Sequence, residues 1–269
     1  MIWGIGNEGQ LGTGSIVKKG IRHVYEELHP VELNTTPYTI SKLVFGQVHS
    51  LAVTDCGKLM AWGSKEYGKL GVPVDVGTSS KEDGAVVLAP HVVEALEHET
   101  IVDAACTGAY SLALTESGGV YSWGWGGSFM SGVGALGHGD EKSHEMPTKI
   151  QALEEDGVRI SKISVGEKHC LALSDDGEIW AWGNGEYGRM GNGDSDSMLA
   201  PEPLEFFAEM NIVDIAAGEA FSLALSEDGK VYAWGKNEYG QLGLGGTMTM
   251  DIYNMETMPI VVRGELEST

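Results

Sequence analysis

Two segments of this chain have the glycine spacing G-x-G-x-x-G, with which dinucleotide-binding loops receive a pyrophosphate. They cover residues 4–9 (GIGNEG) and 183–188 (GNGEYG). A dinucleotide loop must lead directly into a helix, because the phosphate binds at the helix N-terminus. Here further glycines follow both segments, and the chain contains no Gly-Lys-Ser/Thr loop for a mononucleotide. We therefore interpret these glycines as turn formers and predict no bound cofactor.

One loop carries several groups that can bind a metal. His138 and His144 flank Asp140 and Glu141, and imidazole and carboxylate groups are common metal ligands. A loop holds such ligands less firmly than a strand or a helix does, so we predict no metal site here. Nothing in the chain resembles a nucleophile beside a base in the strand–turn–helix context of a hydrolase. We predict no catalytic residues and no enzymatic activity.

The other histidines and the cysteines have structural interpretations. His49 and His169 occupy matching places in two strand-like segments, where we expect buried, hydrogen-bonded side chains. Three cysteines lie far apart in the chain, and their odd number and spacing indicate neither a disulfide framework nor a zinc site. Without a recognisable signal peptide or a membrane-length apolar run, we expect the cytosol or the nucleus. An organelle is the alternative if an N-terminal segment is missing.

An internal repeat underlies these motifs. The dipeptide Trp-Gly recurs at intervals of roughly 60 residues, and such self-similarity is the signature of a repeat architecture. Its tryptophans are Trp3, Trp62, Trp123, Trp182 and Trp234. All seven tryptophans of the chain lie in or beside these dipeptides, and we expect them in the core.

Each full repeat contains a strand–turn–strand unit. A glycine opens a strand of small and apolar residues such as 108–115 (GAYSLALT), a three-residue turn follows, and a second strand such as 119–124 (GVYSWG) ends in Trp-Gly. Three-residue hairpin loops place their last residue in the left-handed conformation, which glycine adopts without steric cost. We therefore predict positive φ angles at Gly57, Gly118, Gly177 and Gly229.

A glycine-rich loop with a central Leu or Met follows each Trp-Gly, as in residues 66–71 (EYGKLG), and a proline comes after it. These prolines are Pro30, Pro90, Pro147, Pro203 and Pro259. Because proline has no N–H to give to a ladder, we predict that each is the first residue of a strand. With the apolar strand before the next glycine, a repeat supplies about four strands, the size of one propeller blade.

These features resemble the repeats of the regulator of chromosome condensation family, which combine a Ser-Leu-Ala-Leu strand, an acidic-Gly turn, a Trp-Gly strand and a Gly-Gln-Leu-Gly loop. The resemblance implies an all-β fold, a β-propeller of four-stranded blades, usually seven in this family. We divide the single domain, residues 1–269, into repeats of roughly 1–39 (partial), 40–99, 100–158, 159–210 and 211–269. About five repeats are too few for seven blades. A fragment, an open arc and a ring completed by another chain remain alternatives.

The charge of the chain narrows the classes of partner. The sequence has 17 basic and 39 acidic residues, and its net charge is −22. An acidic surface repels nucleic-acid phosphates and anionic lipids. We therefore expect neither direct nucleic-acid binding nor membrane binding, and we expect the partners to be proteins.

Two variable loops carry candidate contact residues. One is the glycine-rich insertion after the third Trp-Gly, whose aromatic and methionine side chains are typical interface anchors unless they fold back over the blades. The other is the long polar segment at 72–89. The predicted partner-binding residues are Trp125, Phe129, Met130, Asp75, Glu82 and Asp83.

Rigid blades with variable loops suit recognition better than chemistry. We expect a non-enzymatic scaffold that binds protein partners through its loops and open blade edges, as a subunit of a larger assembly or with a chain that completes the propeller. The family resemblance implies two alternatives. One is a guanine-nucleotide exchange factor for a Ras-like small GTPase, and the other is a regulatory propeller domain of a larger enzyme such as a ubiquitin ligase.

Overall fold

The structure is a computed structural model that describes residues 8–12, 33, 35–73, 75–76, 86–128, 132–244 and 254–262. The chain divides into two compact units, Met1–Trp125 with Ser143–Lys149 and Gly126–Lys142 with Ile150–Thr269. Each unit contains two four-stranded antiparallel sheets whose strands pair in chain order. These sheets are propeller blades, so the predicted all-β fold with four strands per repeat is confirmed. Within the described ranges, no helix is long and apolar enough to cross a membrane.

The first unit holds the first and second blades. The strands of the first blade are Ile40–Phe45, His49–Thr54, Leu59–Ser64 and Val86–Val92. Those of the second blade are Ile101–Cys106, Tyr110–Thr115, Val120–Gly124 and His144–Lys149. Two three-residue 3-10 helices lie at Glu66–Gly68 and Glu94–Leu96.

The second unit holds the third and fourth blades. The strands of the third blade are Ile160–Val165, His169–Ser174, Ile179–Gly183 and Met198–Pro203. Those of the fourth blade are Ile212–Ala217, Phe221–Ser226, Val231–Lys236 and Met255–Val261. The unit also contains the strand pair Gly127–Ser128 and Gly132–Val133, the α-helix Gln151–Glu155 and the 3-10 helices Glu186–Gly188 and Glu205–Phe207.

The hairpin turns have the predicted geometry. The four turn glycines have φ angles of 77°, 86°, 85° and 82° in chain order. A hydroxyl at the end of the preceding strand also closes the turn by accepting the N–H beyond it. This distance is 2.8 Å from Lys58 N to Thr54 Oγ1 and 3.0 Å from Gly119 N to Thr115 Oγ1. The turn is therefore stabilised by a side chain as well as by glycine.

The four Trp-Gly tryptophans of the described blades form the core, as predicted, and also connect neighbouring repeats, while Trp3 lies outside the described residues. The four in the described blades are fully buried. Three of them donate their indole N–H to a backbone carbonyl in the glycine-rich loop of the preceding repeat. The pairs are Trp62 with Gln10 (2.8 Å), Trp182 with Ala135 (3.1 Å) and Trp234 with Arg189 (2.9 Å). We call these bonds the carbonyl seam.

Serine hydroxyls join the carbonyl seam. The Ser50 hydroxyl donates to the Gln10 carbonyl at 2.9 Å, and the Ser222 hydroxyl donates to the Arg189 carbonyl at 3.0 Å. In the second blade, the Ser111 hydroxyl donates to the Lys69 carbonyl, and the Trp123 indole makes no bond to it. Each seam carbonyl therefore receives a buried donor, as polar groups in a core require.

Four of the five prolines do not begin strands, so the prediction was wrong for these four, and Pro30 lies outside the described residues. Pro90, Pro147 and Pro259 lie inside the fourth strands of their blades, where the pairing register shifts. In the third blade the residue at this place is Pro201, because Pro203 ends its strand. At each shift, three residues of the fourth strand lie opposite one residue of the third, so some have no ladder partner, and a proline with no N–H is tolerated there. The fourth strands therefore begin before the prolines.

His49 and His169 are buried and hydrogen-bonded, as predicted. His49 Nε2 lies 2.8 Å from the Ser111 hydroxyl, which itself donates to the carbonyl of Lys69. Because the serine hydroxyl uses its proton in this second bond, it must accept the hydrogen bond from the imidazole. His49 therefore donates from Nε2 and is neutral. His169 and Ser222 repeat this arrangement at 2.9 Å. Burial lowers the pKa of both histidines to about 3, assisted by a nearby cation.

One strand of the fourth blade is less buried than the corresponding strands of the other blades. In the strand Phe221–Ser226, the alternate residues Phe221, Leu223 and Leu225 are half-buried. The corresponding strands of the other three blades are buried along their whole length. Because alternate residues of a strand point to the same face, one face of this strand is only partly covered within the described structure.

Candidate protein-interaction surface

The glycine-rich loops after the Trp-Gly strands present tyrosines at the surface. Tyr67 and Tyr187 lie in 3-10 turns with φ angles of 60° and 64°. This left-handed conformation is uncommon for a bulky residue and costs about 1–3 kcal/mol. Tyr67 is 58% exposed, and Tyr239 of the corresponding fourth-blade loop is 77% exposed. Tyr67 therefore combines an exposed ring with a conformation that glycine would adopt more easily, whereas Tyr187 is half-buried.

The rest of each loop is anchored. Leu70 and Met190, three residues after these tyrosines, are fully buried, as the sequence predicts for the central Leu or Met. The neighbouring cations are also covered, because Lys69 Nζ donates to the carbonyl of Gly108 at 3.1 Å and Arg189 Nε donates to the carbonyl of Glu186 at 2.7 Å. Burial lowers the pKa of Lys69, against the opposing field of two glutamates. The tyrosines thus stand on fixed loops.

A cavity of about 330 Å³ lies beside Tyr67 in the first unit. Its lining is Lys65, Tyr67, Gly68, Leu70, Val72, Pro73, Glu145 and Met146. The Trp125 ring stands next to Tyr67, with 6.3 Å between the ring centroids and 49° between the ring planes. We call this cavity, together with the Trp125 ring, the Tyr67 cleft. Its walls are mainly apolar and aromatic, and Glu145 places a carboxylate among them.

The corresponding loop of the second unit is occupied by cations of the chain itself. Lys236 Nζ lies 4.7 Å from the Tyr187 ring centroid, and Arg189 Cζ lies 5.5 Å from it. Both distances are within the range of cation–π attraction. Glu238 Oε2 is 2.9 Å from Lys236 Nζ, and this bond raises the pKa of the lysine. The ring of Tyr187 therefore faces a fixed ammonium group.

Only two of the six predicted partner-binding residues lie within the described structure. Trp125 is half-buried and contacts Tyr67, so the expectation that all the tryptophans lie in the core was wrong for this residue, and Asp75 is exposed. Phe129, Met130, Glu82 and Asp83 lie outside the described residues, so the six residues stay a prediction.

The sequence analysis did not identify Tyr67, Glu145 and Met146 as residues that line a cleft. The repetition of Glu-Tyr-Gly at 66–68, 186–188 and 238–240 was a usable signal for the tyrosine. Glu145 belongs to a distant strand of the next blade, and its position beside the loop follows only from the fold.

The glycine motif and the possible metal ligands of the sequence analysis make local structural contacts. The glycines at 183–188 enter a three-residue 3-10 turn. His144 Nδ1 lies 3.0 Å from the Thr148 hydroxyl, and Asp140 accepts the backbone and side-chain N–H groups of Lys142. In the part of the chain that the structure describes, no three His, Cys, Asp or Glu side chains form a metal-sized group. Burial raises the pKa of the Cys106 thiol to about 12, which keeps it protonated.

A second cavity, of about 320 Å³, adjoins the hairpin turn of the fourth blade and has acidic walls. Two of its three carboxylates, those of Asp228 and Glu227, are already bonded. Asp228 pairs with Lys230 at 2.6 Å and accepts the Ser226 hydroxyl, and these bonds lower the pKa of Asp228 to about 2. Glu227 accepts an N–H of Asn211 at 2.9 Å. These contacts give the cavity the character of a solvated turn.

The family model described as the regulator of chromosome condensation (RCC1) repeat matches residues 57–114, 117–173, 176–225 and 228–265. A second model with the same description matches residues 160–189 and 212–241. Together the matches cover most of the chain, and each of the four Trp-Gly strands of the described blades falls within one match of the first model.

Two curated proteins are similar over most of this chain. The ultraviolet-B receptor UVR8 of Arabidopsis thaliana is 35% identical over 221 residues, which are 82% of this chain and 47% of the receptor. The human E3 ubiquitin-protein ligase HERC2 is 34% identical over 247 residues, which are 91% of this chain and 5% of the ligase. The chain thus spans about half of the first relative and a small part of the second.

A solved structure has the same fold as this chain. The crystal structure of Prp20p from Saccharomyces cerevisiae, described with its binding properties to Gsp1p and histones, superposes with a TM-score of 0.75. The superposition covers 96% of this chain and 57% of Prp20p, at 25% sequence identity. Family model, relatives and structure lead to one conclusion: the chain belongs to the regulator of chromosome condensation (RCC1) repeat family.

Proposed function

We propose that this chain is a non-enzymatic propeller scaffold that binds protein partners through the loops that follow its Trp-Gly strands. The observation that carries the proposal is the Tyr67 cleft, where a strained loop holds an exposed aromatic ring beside a second ring and an apolar cavity. Such aromatic groups dominate the energetics of protein interfaces. Strained backbone at a surface is a marker of a functional site.

The state of the chain in its native particle tests this proposal. Native mass spectrometry of an endogenous purification is expected to show a second polypeptide at fixed stoichiometry. Tyr67→Asn should remove that polypeptide if the cleft is its site, since asparagine tolerates the left-handed conformation and keeps the loop folded. A particle that contains this sequence and no partner would contradict the scaffold function.

Guanine-nucleotide exchange is a second candidate, favoured by the similarity to Prp20p and its described binding to Gsp1p. Exchange activity predicts that catalytic amounts of the chain accelerate nucleotide release from a Ras-like GTPase. A scaffold predicts stoichiometric complexes without turnover. A regulatory propeller within a larger enzyme, favoured by the similarity to HERC2, predicts that the native particle contains this sequence as part of a much longer polypeptide.

A further inference from the structure

The two units use the same loop position in different ways. The residue two positions after the Trp-Gly tryptophan is Lys236 in the fourth blade and Trp125 in the second. Each of these side chains lies against the left-handed tyrosine of the preceding blade, Tyr187 or Tyr67. Lys236 thus supplies an ammonium to Tyr187, whereas Trp125 supplies a second ring to Tyr67. The first unit therefore has two rings where the second has a ring and a cation.

We propose that the Tyr67 cleft binds a lysine or arginine side chain of a basic protein segment. The contact of Lys236 with Tyr187 shows how a cation fits against this loop, with its ammonium 4.7 Å from the ring centroid. In the first unit, the partner supplies this cation from outside the chain. This inference rests on the proposed scaffold function and specifies the chemistry of its partner.

The geometry of the rings suits such a guest. Tyr67 and Trp125 are tilted by 49° with 6.3 Å between their centroids, so they form an open angle and not a closed stack. A cation is attracted to the face of tyrosine or tryptophan within about 6 Å of the centroid, and tryptophan is the better of the two. Pro73 and Met146 line the cavity beside Tyr67 and give the aliphatic stem of the guest an apolar surface.

The charges also favour a cationic guest. Glu145 lines the cleft, and Glu66 precedes the tyrosine. Among the described residues of the lining, the one cation is Lys65, whose Nζ donates to the carbonyl of Val76 at 2.9 Å. The whole chain carries a net charge of −22, and this field attracts basic segments and repels acidic ones.

A defined peptide tests the proposal on the full chain. The probe is acetyl-Gly-Lys-Gly-Arg-Gly-amide, and its neutral control replaces lysine by glutamine and arginine by citrulline. The chain is labelled with 5-fluorotryptophan, and Trp125→Phe assigns the ¹⁹F signal of Trp125. We expect the cationic peptide to shift this signal in a saturable way and the neutral peptide to leave it in place.

Three variants make the test specific. Tyr67→Asn should weaken peptide binding about tenfold, because it removes one ring and keeps the loop conformation. Trp125→Lys should weaken peptide binding at least as much, because its ammonium occupies the cleft as Lys236 occupies the ring of Tyr187 in the second unit. Because this variant removes the fluorotryptophan signal, its peptide affinity is measured by calorimetry. Tyr239→Asn removes an exposed tyrosine from the fourth-blade loop and should change nothing.

Equal shifts with both peptides, or full binding by Tyr67→Asn, would overturn the proposal. The outcome is separable from that of the scaffold function. A stable protein partner in the native particle, without any response to the cationic peptide, would overturn the cation site and leave the scaffold standing. A peptide response without a partner would support the cation site and contradict the scaffold.

Discussion

A neutral histidine inside each unit sets a lower limit on the pH at which the protein is stable. His49 and His169 have folded-state pKa values of about 3, against an ordinary value of 6.5. Between these values the unfolded chain binds protons that the folded chain does not. The free energy of unfolding therefore falls as the pH drops from 6.5 towards 3, and the histidines do not affect it above 6.5.

Each histidine should contribute about 1.4 kcal/mol of this loss per pH unit. We predict that His169→Phe, which copies the fourth-blade residue Phe221, flattens the change in unfolding free energy between pH 7.5 and 5.5 by about 1.4 kcal/mol. Urea denaturation at the two pH values measures it. The control is His98→Gln, which changes an exposed side chain. An unchanged pH dependence in His169→Phe would show that the buried imidazole is not responsible.

A matched pair of glycines separates backbone strain from packing. Gly191 and Gly229 both have a φ of +82°. A Cβ on Gly191 would lie 2.7 Å from Trp234 Nε1, whereas a Cβ on Gly229 would meet nothing within 4 Å. We predict that Gly229→Ala costs about 1–2 kcal/mol for the left-handed conformation alone. Gly191→Ala should cost about 1–3 kcal/mol more for the displaced indole. Equal losses in denaturant titrations would contradict the packing argument.

At the residue scale, sequence reasoning succeeded where repetition isolates one cause. Four hairpins end in glycine, and the left-handed turn is the local reason for all of them. It did not foresee the left-handed conformation of Tyr67 and Tyr187, because a tyrosine in this position carries no local signature. The next blade approaches the loop closely at the following residue, where a Cβ on Gly68 would lie 2.3 Å from the backbone of Glu145, and such tertiary contacts are not visible in the local sequence.

At the scale of the element, unequal burial predicts unequal protection. The strand Phe221–Ser226 is only partly covered on one face, while His169–Ser174 is buried throughout. Local opening costs less where fewer apolar contacts are broken. We predict faster amide hydrogen exchange in Phe221–Ser226 than in His169–Ser174, although the two strands have the same ladder positions. Mass-spectrometric exchange measures both in one experiment. Equal protection would mean that global unfolding governs exchange in the second unit.

The strands themselves could be predicted from their composition, and their limits could not. Short runs of small and apolar residues between glycines indicated the second and third strands of every blade, which the structure confirms. The fourth strands begin before the prolines because a register shift accommodates Pro90 and its counterparts. This shift depends on pairing with the third strand, which the residues around the proline do not reveal.

At the scale of the whole molecule, a period of two blades is superimposed on the single-blade repeat. The first and third blades each carry a buried histidine and a left-handed tyrosine. They also carry lysines on their first strands, and these pair with aspartates of the following blade, Lys42 with Asp103 and Lys162 with Asp214. Each unit therefore repeats the same set of contacts between its two blades. The Tyr67 cleft is one exception to this symmetry, and the Trp123 indole, which lacks the bond that Trp234 makes to the Arg189 carbonyl, is another.

The net charge of −22 should govern how fast a basic partner arrives. The screening length falls from about 30 Å at 0.01 M salt to about 8 Å at 0.15 M. We predict that the association rate with a basic segment falls about tenfold across this range, while the dissociation rate changes little. Biolayer interferometry with the cationic peptide measures both rates. An association rate that does not depend on salt would show that steering by the acidic surface is absent.

The carbonyl seam has an evolutionary consequence. The atom that receives the tryptophan belongs to the main chain, and the residues that carry it are as different as Gln10, Ala135 and Arg189. A substitution at this loop position leaves the acceptor in place, so the joint between neighbouring repeats survives sequence drift. Selection can therefore diversify the loops for new partners one repeat at a time, while the hydrogen bonds between neighbouring repeats are kept.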